Sequence, residues 1–352
     1  MFLHLVVKTP YFFWMGKERY DYNYRIVVAG TVILSVGTPV IALLSLSFFQ
    51  DKSIAVIGSK ILIEVFLGIP VFVLILKKGK KLFSRVYWVY GLRNNIPLVP
   101  YYLSQIILNH SDRLMINSMC GSGEAGIYSV SYSAAMLLTM LNHAINHSIV
   151  PWKYRKLKKD DTEGIHQVTF SLMLFVMGLN AVLIALAPEA MTILAAKAYH
   201  NAIWIVPPVA CSACLLFISQ QFINIEFYFE ENHYTALSSI GTAALNVVLN
   251  RIFIERYGYI AAGYTTLFCY LIFTVLHYIT MRMVCKKHMN GKKIWKADRI
   301  FVSVVALILF SGLMLLCYNG YVVRYLIVAV LAVIGLIKKD SIKKYLKGSK
   351  DN

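Results

Sequence analysis

A small set of ionisable and hydrogen-bonding side chains interrupts long apolar runs in this 352-residue sequence, and these residues have chemistry to offer. An ionisable group in hydrocarbon costs about 2.5–3.5 kcal/mol on insertion scales, so each needs a partner or a task. His143 and His147 stand one helical turn apart, with Asn142 and Asn146 beside them. Residues at i and i+4 share a helix face, so the four are expected to form one polar patch. Such a patch hydrogen-bonds sugar or phosphate, relays protons, or simply bonds to a neighbouring helix. A metal would want a third ligand, and none stands at a suitable spacing. Lys60 and Glu64 are also four apart. They read either as an internal ion pair that neutralises both, or as a cavity-lining carboxylate that titrates. Arg93 lies about two turns into its apolar run, where it either has a task there or snorkels to the interface. Asp112 and Arg113 are adjacent, about 100° apart around a helix, so their partners are expected on other helices, at the rim. Glu226, Asn246, Asn250 and Arg251 read as packing and gating polar residues first and substrate contacts second.

The chemistry not found narrows the function. Serine–histidine–aspartate triads, Walker loops and paired catalytic carboxylates are absent from the sequence, so no enzyme and no cofactor is expected. Cys211-x-x-Cys214 has redox or metal spacing but sits in an apolar run with no second pair, which favours plain packing.

The elements that must position these residues are membrane spans. Apolar residues make up 58% of the chain and charged residues 15%, against about 45–50% and about 25% in soluble domains. Crossing about 30 Å of hydrocarbon takes about 20 apolar residues. Ten segments qualify: 25–49, 53–76, 87–117, 124–150, 168–187, 202–229, 234–251, 259–283, 300–317 and 322–337. An all-α, polytopic membrane helical bundle of about ten transmembrane helices is therefore expected. Pro97 and Pro100 predict a kink in the over-long third segment, and Pro207-Pro208 a bend at the start of the sixth. The first 24 residues do not read as a signal peptide, because Lys8, Lys17 and Arg19 fall where a small-residue cleavage site should come. They read instead as the tail of a preceding segment.

The net charge of +18 raises the question of nucleic acid, but the basic residues lie in short clusters between apolar runs. Of 35 Lys and Arg, 27 fall in alternate connections, including Lys153–Lys159 and the six of the C-terminal tail, and five fall in the others. That asymmetry follows the positive-inside rule and predicts that both ends are cytoplasmic, with no nucleic-acid partner.

From Leu103 the chain carries Ser111-Asp112-Arg113, then Gly121 and Ala125-Gly126-Ile127-Tyr128-Ser129, then Pro151-Trp152 ahead of a basic run. Further on stand Asn224-Ile225-Glu226-Phe227-Tyr228, Asn246, Asn250, Tyr257-Gly258-Tyr259 and Ala261-Ala262-Gly263-Tyr264. In order and spacing this resembles the Wzx-type oligosaccharide flippases, in the polysaccharide-export branch of the multidrug/oligosaccharidyl-lipid/polysaccharide superfamily. The resemblance implies MATE-like lobes of six helices each. Residues 1–80 would be a two-helix remnant of the first lobe, 81–288 a complete second lobe, and 289–352 an extra helix pair with a basic tail. Gly16–Tyr20 resembles the loop before the family's fifth helix, so four helices are expected to be missing ahead of it. The implied cargo is an undecaprenyl-pyrophosphate-linked oligosaccharide, moved between leaflets for O-antigen, capsule or exopolysaccharide assembly. The lipid bilayer, a polysaccharide polymerase and glycosyltransferases are the implied partners. The resemblance puts Arg93, His143, His147, Asn142, Asn146, Lys60 and Glu64 with the substrate, and Asp112, Arg113, Glu226, Asn246, Asn250 and Arg251 at the rim or gate. A cation-coupled drug exporter and a truncated, non-transporting remnant are the competing expectations.

Overall fold

Helix-forming apolar runs punctuated by turn residues give an all-helical fold. The computed structural model describes residues 2–48, 51–80, 83–194, 203–318 and 320–337, which form thirteen α-helices and no strand. The chain divides into two compact units, residues 1–91 and 92–352.

Unit 1 holds α1 (Phe2–Tyr20), α2 (Tyr24–Ser45) and α3 (Lys52–Gly79), with α1 and α2 both packed on α3. Tyr11, Met15, Val27 and Val71 form its small core. Gly30 matters here: a Cβ would collide with the Tyr11 hydroxyl, so glycine lets α1 approach α2. The Asp51 carboxylate caps α3 by accepting from the Ser53 N–H at 2.8 Å. The N-terminal tail expected from sequence is thus a helix. Gly16–Tyr20 is its last turn rather than a loop, and the chain leaves the helix only after Tyr20.

Unit 2 comprises α5 (Leu98–Met119), α6 (Ser122–Lys158), α7 (Thr162–Ala185), α8 (Ala187–Leu194), α9 (Val206–Tyr228), α10 (Asn232–Tyr257), α11 (Ile260–His288), α12 (Ala297–Cys317) and α13 (Tyr321–Ile337). The helix α4 (Arg85–Asn95) carries the division between units, eleven residues beyond the boundary expected at 80. Every residue of α9 from Val206 to Glu226 is buried, so this helix is the axis of the unit. Around it pack α6, α7, α11 and α12, while α10 pairs closely with α5 and α11. Gly121 (φ 107°) and Gly258 (φ 72°) take the left-handed backbone that the tight α5–α6 and α10–α11 turns require. In the final helix pair, α12 packs directly on α7 and α9.

All ten expected spans appear as helices, and seven are long and apolar enough to cross a membrane: α2, α3, α7, α9 with its preceding turn, α10, α11 and α12. The third expected span breaks at Ile96-Pro97 into α4 and α5, as the prolines predicted. Pro207 and Pro208 sit in the first turn of α9, where a missing N–H costs nothing. The helices α5 and α6 are not among the seven because they carry the polar residues singled out above. At 37 residues, or about 55 Å, α6 outruns the hydrocarbon and takes Lys153 and Arg155 onto the helix rather than into a loop. The basic C-terminal tail, Lys81 and Lys197 lie outside the described residues.

Candidate functional site

The polar residues of unit 2 gather at three places around α9, α10 and α11. The first lies between α6 and α9. Asn142 Nδ2 donates to the Ala213 carbonyl at 3.1 Å. Asn146 Oδ1 accepts from Gln221 Nε2 at 3.2 Å and from Asn224 Nδ2 at 2.9 Å. Gln221 Oε1 in turn accepts from Lys153 Nζ at 2.6 Å. The Nζ of this fully buried lysine also lies 5.8 Å from the centre of the Trp295 ring. The result is a ladder of uncharged amides ending in a buried lysine amine. Asn142 and Asn146 therefore face the interior.

Their neighbours do not. His143 and His147 sit on the exposed side of α6, their rings stacked 6.4 Å apart. His143 Nδ1 lies 3.3 Å from Gln220 Nε2. The expected four-residue patch is thus split by the helical 100° step: two amides bond within the unit and two imidazoles face out.

The second cluster centres on Asp112, which is almost wholly buried. Its Oδ2 accepts from the Tyr128 hydroxyl at 2.6 Å and from Thr266 Oγ1 at 2.8 Å, and its Oδ1 from Asn250 Nδ2 at 2.6 Å. Asn250 Nδ2 also reaches Asn246 Oδ1 at 3.2 Å, Thr265 donates to Asn250 Oδ1, and Ser111 Oγ donates to Asn246 Oδ1 at 3.0 Å. Four helices (α5, α6, α10 and α11) are tied through one carboxylate. The interhelical partners expected of Asp112 are thus supplied by α6, α10 and α11. Asp112 does not pair with Arg113, whose guanidinium instead lies 4.4 Å from the centre of the Tyr132 ring. The Tyr132 hydroxyl donates to Asn109 Oδ1 at 3.0 Å. Beside it a narrow cleft lined by Asn109, Tyr132, Thr139, Ser212 and Thr266 has a volume of about 10 Å³, enough for about one water.

The third cluster surrounds Glu226, completely buried on α9. Its carboxylate accepts from Thr235 Oγ1 at 2.6 Å and Thr280 Oγ1 at 2.5 Å, and lies 3.1 Å from His277 Nδ1. His277 was not among the residues expected to matter, yet it is completely buried against Phe273, with no hydrogen-bond partner for Nε2. Glu226 is therefore an internal tie among three helices.

The remaining candidates stand apart. Arg251 is exposed on α10 and Arg93 on α4. Next to Arg93, Asn94 anchors α4 by donating to Glu230 at 3.3 Å and accepting from Asn232 at 2.9 Å. In unit 1, Glu64 is buried and paired with Lys8 of α1 at 3.4 Å, whereas Lys60 is exposed and makes no ion pair among the described residues. The partner of Glu64 thus comes from a helix the sequence reading had taken for a tail. Among the described residues no three His, Cys, Asp or Glu side chains gather as a metal site. Cys211 and Cys214 are buried free thiols.

A family model of polysaccharide biosynthesis proteins matches residues 18–204. The chain belongs to that family. The matched stretch contains the Asp112 cluster's first half, the α6 histidines and the Lys8 partner Glu64, but ends before Glu226, Asn246, Asn250 and Arg251. No curated protein and no solved structure matches the chain. This family member is accordingly a membrane-spanning, polysaccharide-synthesis-related protein.

Proposed function

We propose that this protein is a flippase that moves an undecaprenyl-pyrophosphate-linked oligosaccharide from the cytoplasmic to the outer leaflet of a bacterial inner membrane, with both chain ends cytoplasmic. The observation that carries the reading is the sign of the charge that α5 and α6 present. The membrane-depth acids of unit 2, Asp112 and Glu226, are buried and tied by hydrogen bonds. Along α5 and the middle of α6 the ionisable groups left on or near the surface are His110, Arg113, His143 and His147, which are hydrogen-bonding or cationic. An anionic diphosphate and a sugar chain suit such a surface, because charge-assisted bonds to phosphate replace lost hydration. A cationic drug would need the opposite arrangement. The imidazoles and Arg113 would hold the head group during passage, and Arg93 would meet it from α4.

No covalent chemistry is required of the protein, so the reading is of a transporter rather than an enzyme. Polymerase and glycosyltransferases are its expected neighbours in the pathway. The test is a deletion strain complemented with variants. Loss of surface polysaccharide with the lipid-linked repeat accumulating inside, restored by the native chain but not by H143A/H147A, supports the reading. Normal surface glycan in the deletion strain overturns it, and altered drug sensitivity on expression would favour a drug exporter.

A further inference from the structure

The exposed side of α11 carries a stripe at helical spacing: Tyr264, Phe268, Val275, Ile279 and Met283. It ends at a groove of about 790 Å³ whose wall is Ile279 and Met283 and whose rim is Arg282, Lys286 and the turn at Asn290-Gly291. Both turn residues take positive φ, 51° and 75°, which folds the chain back over the helix end. Arg282 fixes that fold by donating to the carbonyls of Lys292 at 2.9 Å and Gly291 at 3.4 Å, which leaves further guanidinium donors uncommitted.

The local charge does not cancel. Glu231 takes Lys287 and His288 at 2.6 and 2.8 Å, on the far side of the helix end. Asp160 takes Lys292. Arg282 and Lys286 make no ion pair among the described residues, and Lys286 is exposed at the mouth of the groove. An apolar lane at membrane depth that opens into two uncompensated cations matches one kind of molecule: a lipid with a negatively charged head.

We propose that this groove binds an anionic membrane phospholipid, its phosphate between Arg282 and Lys286 and one acyl chain laid along Met283, Ile279 and Val275. Basic pockets beside transmembrane helices recognise anionic head groups in this way, and each basic side chain near the lipid surface adds about a fivefold preference. The inference rests on α11 crossing the membrane and is independent of what the protein transports.

The experiment is native mass spectrometry of the full chain released from micelles holding equal amounts of phosphatidylglycerol and phosphatidylcholine, with thermal unfolding read in parallel. The native chain is expected to retain phosphatidylglycerol at least about fivefold over phosphatidylcholine. Lys286→Gln, at an exposed side chain that holds no fold contact, should cut that preference about fivefold with an unchanged Tm. Ile279→Asn should lower retention while leaving the head-group preference. Lys77→Gln, at the end of α3, should change neither. Equal retention of the two lipids, or an unaltered preference in Lys286→Gln, overturns the proposal. So does glycerol phosphate raising the Tm as much as phosphatidylglycerol, which would mark a free-anion site without an acyl lane.

Discussion

Removing the carboxylate of Asp112 is the sharpest test of how unit 2 is held together. Three donors from three different helices converge on it: Tyr128 of α6, Asn250 of α10 and Thr266 of α11. Interhelical hydrogen bonds in membranes average about 0.6 kcal/mol and reach about 1.7. Three of them give about 2 kcal/mol on the average figure and about 5 at the upper end. Because the acceptor is a carboxyl and all three donors would be left buried, the Asp112→Ala cost should fall in the upper half of that range. Asp112→Asn should cost less. Its amide oxygen can keep both Tyr128 and Thr266, and only the new NH2 opposes the Asn250 donor, so one bond is lost. The order native, Asn, Ala is therefore expected in equilibrium unfolding with increasing SDS in mixed micelles, with Asn within about 2 kcal/mol of native. A cost below about 0.5 kcal/mol for Asp112→Ala would refute the structural role. If that silent variant also lost transport, the carboxylate would belong to the cargo path and not to the scaffold.

The exposed imidazoles predict the reverse pattern: H143A/H147A should shift stability by no more than about 0.5 kcal/mol while abolishing complementation, and a large drop in Tm would contradict their placement. In unit 1, Lys8→Gln should destabilise more than Lys60→Gln, since Lys8 is the cation that reaches buried Glu64 at 3.4 Å; equal effects in thermal unfolding would contradict that pairing. Hydrogen bonds from His288 and Lys287 hold the Glu231 carboxyl below its ordinary value, so its contribution is present above the unfolded carboxylate pKa of about 4.3 and is lost as pH falls through the lower folded value. Native protein should thus lose Tm on acidification, and Glu231→Gln should start lower at pH 7 and show a shallower acid limb; parallel curves would remove this ion pair from the account. Accessibility labelling of a cysteine placed at Lys158 should require permeabilised cells, and labelling of intact cells would reverse the proposed orientation.

The spans were legible because hydrocarbon sets their length: each of the ten apolar runs became a helix, and Pro97 broke the third where its ring excludes a helical hydrogen bond. The partners were less legible. Glu64 and Lys60 sit at ion-pair spacing, but the sequence does not say that an earlier helix brings Lys8 within reach of the same carboxylate. The run from Phe2 to Met15 was read as part of a tail, yet it forms a helix that accommodates Pro10 within α1. His277 left a signal that was available, a lone histidine in an apolar run five residues before Arg282. Its meaning depended on Glu226, 51 positions away, being on the neighbouring helix. Lys153 was hidden by its company, because five basic residues in seven look like a solvated cluster until α6 is seen to continue through them.

The distribution of these ties bears on mechanism. The Asp112 cluster joins α5, α6, α10 and α11, the amide ladder joins α6 to α9, and the Glu226 cluster joins α9, α10 and α11. Between them, α9 and α11 meet through small hydroxyls, with Ser219 and Thr274 2.9 Å apart. Three cross-links at separate places leave α5, α6, α9, α10 and α11 little freedom to shift past one another without breaking buried hydrogen bonds. Alternating access by rocking needs a rigid element of this sort, with the moving surfaces elsewhere. Under the proposed flippase function, the residues that cost most to remove would not be the ones that touch cargo, and the exposed His143 and His147 are where variants should separate transport from stability.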